Sequence, residues 1–164
     1  MLIVSILLVV SFVGIAIWRK RELPESISAM VFDMKQPWLW SVWLWAVTIT
    51  LAPSLIDSIP EPWKVFGFFC LACLMFVGVV PLFDTEHRKW HYVLGFIAGV
   101  LSQACVWYIC PWWLLLWLPM IGLCVAALLG YNDSKDIPSV INGKGVFIAE
   151  CICYVSLVLA ILIH

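Results

Sequence analysis

From residue 92 to residue 130 the chain runs for 39 residues without one Asp, Glu, Lys, Arg or His. As a single α-helix that stretch would be about 58 Å long at ~1.5 Å per residue, roughly twice the hydrocarbon thickness of a bilayer. It therefore reads as two spans, 92–110 and 112–130, broken at Pro111 and anchored at an interface by Trp112 and Trp113. Pro119 is expected to kink the second of them, where neighbouring helices can re-satisfy the freed carbonyl.

Four further apolar runs, 2–18, 38–56, 65–83 and 146–163, have the length of a membrane-crossing helix. Hydrophobic residues make up 65% of the chain and charged ones 12%, about half the share usual in a soluble domain. A soluble fold of this size would leave a greasy exterior, so lipid is the solvent that fits. In lipid each backbone amide must be satisfied within the protein, and runs that are continuous rather than alternating leave helices, not barrel strands. The expected fold is all-α: one domain over 1–164, a bundle of six transmembrane helices with no soluble domain. The first run has no basic segment before it and meets Arg19, Lys20 and Arg21 directly after it, which marks a retained span and not a cleaved leader.

Sidedness follows from the cations. Arg19, Lys20, Arg21, Lys35, Arg88, Lys89, Lys135 and Lys144 fall in the loops after the first, third and fifth spans, and only Lys64 falls on the opposite side. The positive-inside rule then makes loops 19–37, 84–91 and 131–145 cytoplasmic and both termini outward, in a membrane of the bacterial inner type. Net charge is −1, and nothing points to nucleic acid. Within the first loop, Pro24 suits a first helical turn, and Ile27, Met30, Val31 and Met34 repeat at helical offsets. The segment is either a short interfacial helix or an irregular loop.

Glu150 is the ionisable residue set well within a span, where such residues are costly and call for a reason. The second polar feature is the segment 84–91. His87 and His91 share a face if the fourth helix begins near Asp84, a spacing that can present two imidazoles to one metal. The metal set would be His87, His91 and Asp84, with zinc the implied ion. The same histidines could instead pair with Glu150 in a ligand-binding or proton-linked site, or merely serve the headgroup region beside Arg88 and Lys89. Gly95 and Gly99 form a G-x-x-x-G pair that would admit another helix closely. The sixth helix in that place would bring Glu150 near His91. Cys70 and Cys73 form a C-x-x-C, but six of the seven cysteines lie inside apolar runs and are expected to pack as small hydrophobes.

In residue type, Asp84, His87, His91 and Ser28 resemble the site of multi-span zinc hydrolases. Those enzymes have seven spans and a third histidine at the cytoplasmic face, whereas the third histidine here, His164, is expected on the other side. The leading expectation is thus a non-enzymatic transporter-, channel- or lipid-binding module with a cytoplasm-facing polar site. An intramembrane metal-dependent hydrolase and an accessory subunit of a larger membrane complex are the alternatives. The partners expected are membrane lipids, a second copy of the chain or a larger membrane protein.

Overall fold

The structure, a computed structural model, describes residues 1–80, 88–128 and 137–164. Every element among them is helical: α1 (Leu2–Lys20), α2 (Trp38–Ser58), α3 (Lys64–Val79), α4 (Arg88–Ile109), α5 (Leu118–Leu128) and α6 (Ile137–Ile163), joined in part by 3₁₀ turns at Ser28–Asp33, Glu61–Trp63 and Pro111–Trp117. Five segments are long and apolar enough to cross a membrane: Leu2–Lys20, Trp38–Ser58, Glu61–Val79, Arg88–Ile109 and Lys144–Ile163.

Two apolar clusters mark the two ends of the bundle. Leu2, Leu51, Leu55, Ile59, Leu71, Cys105, Val106, Leu157 and Ile161 meet at the end that carries both chain termini, here the terminal end. Val31, Trp40, Leu44 and Val77 meet at the other, the loop end, with Phe12, Ile27 and Leu94 packed against them. Successive helices α1 to α4 thus alternate in direction. Neighbours in sequence are neighbours in space: α1 lies on α2, α2 on α3 and α3 on α4, while α6 packs on α4.

Local chemistry explains several boundaries. α1 stops where Arg21 adopts φ 55 and donates its N–H to the Ile17 carbonyl, with Arg19 and Lys20 complementing the negative end of the helix dipole. α2 runs through Pro53 to Ser58, two residues beyond the expected run 38–56. The α2–α3 contact is close at two glycines. A Cβ on Gly67 would lie 2.7 Å from Ile59 Cδ1, and one on Gly78 would lie 2.7 Å from the Trp45 indole nitrogen. That indole is fixed by donating to the Met75 carbonyl at 3.0 Å.

Four stretches differ from expectation, the first being α3, which stops at Val79 with Val80 extended and not at residue 83. The segment 112–130 is not α-helical throughout, because Pro111–Trp117 is 3₁₀ and runs directly into α5, with Pro119 at the second residue of α5. Residues 137–145, expected in a loop, are helical and continuous with the rest of α6. Arg88–His91, expected in a loop, are helical and part of α4.

Candidate functional site

The loop end is closed by the α1–α2 connection. Ile27, Met30, Val31 and Met34 do face one way, but inward: Met30 is 2% exposed and Val31 1%, and Ile27 and Met34 lie on the Trp40–Leu44–Val77 cluster. Their segment is a 3₁₀ helix, Ser28–Asp33, whose start is capped by Ser26 Oγ accepting from the Ala29 N–H at 2.9 Å. Beneath it, Phe12 stacks on Trp43 with ring centroids 4.3 Å apart, and the Trp43 indole donates to the Leu8 carbonyl.

Glu150 fastens this connection to α6. Its Oε2 accepts the Ile27 N–H at 2.5 Å, and one turn earlier the Phe147 N–H donates to the Glu25 carbonyl at 3.1 Å. Residues 147 and 150 share a face of α6, so one helical turn grips three consecutive loop residues. Among the described residues no cation pairs with Glu150. Its carboxylate is held by a neutral backbone donor, which satisfies hydrogen bonding without neutralising charge.

His91 has a different task. It is 3% exposed, with Nδ1 2.8 Å from the Val80 carbonyl. A carbonyl only accepts, so Nδ1 carries the proton. His91 therefore closes the C-terminal end of α3, where carbonyls lack intrahelical partners. The two residues expected to act together have separate bonds. Parallel packing of α4 and α6, with Gly99 against Cys153, sets His91 about 8 Å nearer the loop end than Glu150 by helical rise. His87 and Asp84, the other proposed ligands, lie outside the described residues. Among the described residues no three His, Cys, Asp or Glu side chains converge as a metal site would require.

Sequence reasoning passed over the densest polar network. Gln103 donates from Nε2 to Ser102 Oγ at 3.0 Å and to the Cys153 carbonyl at 3.4 Å. Its Oε1 accepts from Trp117 Nε1 at 2.9 Å and from Ser156 Oγ at 3.1 Å. All four hydrogen-bonding positions of the amide are used, and they join α4, the 3₁₀ segment and α6. The available signal was that Gln103 is the lone amide in the 39-residue uncharged run. A second bond between side chains, Ser5 Oγ to Tyr154 Oη at 2.9 Å, ties α1 to α6. Each buried side-chain nitrogen and oxygen among the described residues finds a partner.

Of the G-x-x-x-G pair, only Gly99 meets another helix; a Cβ on Gly95 would touch nothing within 4 Å. Cys70 is buried with its thiol 3.4 Å from the Ala98 carbonyl and Cys73 is half-buried, both as free thiols. Searches against protein-family models, curated proteins and solved structures find no match to this chain.

Proposed function

We propose that the chain is a non-enzymatic integral membrane module of the transporter, channel or lipid-binding kind, crossing the membrane six times, with its working polar site at the loop end. The observation that carries this reading is Glu150: a carboxylate inside an apolar helix, bound to a backbone N–H and not to a cation. An ionisable group kept at that cost is best explained by use.

Connectivity supports the sixth crossing. α4 ends at the terminal end, where Ile109 and Cys110 pack, whereas Phe147 of α6 bonds Glu25 at the loop end. The intervening chain must return across the bundle. Seven 3₁₀ residues and 11 α-helical ones reach about 30 Å, enough for the hydrocarbon core. Orientation rests on charge: Arg19, Lys20, Arg21, Lys35, Arg88, Lys89 and Lys144 flank the loop end and Lys64 the other, which supports a loop end that faces the cytoplasm.

A second reading, an accessory subunit, is favoured by the 3₁₀–α5 hairpin arm. Trp112, Leu115, Leu118, Ile121 and Val125 are all exposed along it, and a shallow apolar groove runs between Trp107 and Leu115. Proteoliposome flux separates the two. With purified protein, proton or monovalent-cation leak should exceed that of empty vesicles and fall at least about tenfold in Glu150→Gln, which keeps shape but not charge. Wild-type vesicles no leakier than empty ones, together with a stoichiometric partner on purification, would replace the first reading with the second.

A further inference from the structure

We infer that residues 21–37 form a plug in the loop end of the bundle, and that the Glu150–Ile27 bond is its latch. The inference builds on the reading of Glu150 as the working residue and specifies how access to it is controlled.

Three features define the plug. It is anchored at Arg21, which donates to Ile17, and at Gln36 and Pro37, which accept from Leu39 and Trp40; between those anchors the Met30 N–H bonds the Ile27 carbonyl, the Met34 N–H the Val31 carbonyl and the Ala29 N–H Ser26 Oγ. Residues 22–35 can lift between the two helix ends without unwinding either. It fills the bundle end with Met30 and Val31, the apolar stopper over Trp40, Leu44 and Val77. And its bonds to α6 come from one turn, Phe147 to Glu25 and Glu150 to Ile27. Only the second uses a side chain. Lifting the plug removes the stopper and frees the Glu150 carboxylate in one movement, so the group that would meet water or a cation is the group that holds the entrance shut. Around Glu150 the neighbouring titratable groups are Cys151 and Cys153 on α6 and Glu25 on the plug. Among the described residues none of these neighbours is a cation, so the backbone N–H has no charged competitor among them.

Amide hydrogen exchange on the full chain in nanodiscs tests the latch. Glu150→Ala should speed exchange over residues 26–34 by at least about tenfold while α3 and α4 stay protected. Ile27→Pro is the second variant: Ile27 has φ −61, which proline adopts, so the change deletes the donor and leaves the carboxylate in place. It should speed exchange over residues 28–34 alike. Glu150→Gln, whose amide oxygen still accepts, should keep the plug protected. Unchanged exchange in both Glu150→Ala and Ile27→Pro overturns the latch, as does loss of protection throughout the bundle in both. Fast plug exchange with flux unaltered in Glu150→Gln would keep the latch and remove the working-site reading. Lost flux in Glu150→Gln with slow exchange in the other two variants would do the reverse.

Discussion

The middle of the bundle and its loop end both bury polar groups, but they satisfy them differently. Around Gln103 the partners are mainly side chains from three elements, interlocked so that no one of them can leave without stranding the others. At the loop end the bonds run between a helix turn and the backbone of a connection, Glu150 to Ile27 and Phe147 to Glu25. The first arrangement resists separation of α4, the 3₁₀ segment and α6. The second lets one segment lift while the helices stay in place. A rigid frame with a detachable cover is what the contrast describes.

The strongest way to break this comparison is Gln103→Ala. It strands Trp117 Nε1 and removes an acceptor from Ser156 at once, each stranded group costing about 1–3 kcal/mol where water cannot reach. Average bonds between membrane helices contribute less, about 0.6 kcal/mol, so a loss near 2 kcal/mol in reversible unfolding is expected. A loss under about 0.5 kcal/mol would show that the network does not hold the frame.

Next come the glycines. Gly78→Ala drives a methyl group into the hydrogen-bonded Trp45 indole and should destabilise by about 1–3 kcal/mol. Gly95→Ala meets nothing and should be neutral or stabilising by up to about 1 kcal/mol through helix propensity. Paired melting curves on the two variants would check it; equal effects would mean that the α2–α3 contact is not tight. The smallest effect belongs to Arg21→Gly. It relieves a non-glycine left-handed residue at the end of α1 and should add at most about 1 kcal/mol, seen as slower exchange in the last turn of α1. Faster exchange there would mean that the Arg21 side chain outweighs its backbone strain.

Much of the frame was legible. The runs 2–18 and 38–56 sit within α1 and α2, because continuous apolarity and a charged or proline-bounded edge are local properties. The inward face of Ile27, Met30, Val31 and Met34 was visible as a period, though not whether lipid or protein would receive it. The candidate site was less so. Glu150 stood out by its cost, but its partner is a backbone N–H 123 residues away, and every residue type offers one of those except proline. His91 was read beside His87 because spacing suggests shared ligands. Its observed bond goes instead to the Val80 carbonyl at the C-terminal end of α3, a relation that exists only once α3 and α4 are side by side.

By itself the sequence determined an all-helical chain, the course of its first two helices, and which side of the bundle carries the cations. Apolar run length, prolines and charge act through the solvent and the local backbone, and need no neighbour. The tertiary structure alone decided that Gly67 and Gly78, not Gly95, lie at close helix contacts, that Gln103 ties three elements together, and that Glu150 fastens the first connection. Those depend on which faces of the helices meet, and in an almost uniformly apolar chain the sequence pattern carries little to distinguish one face from another.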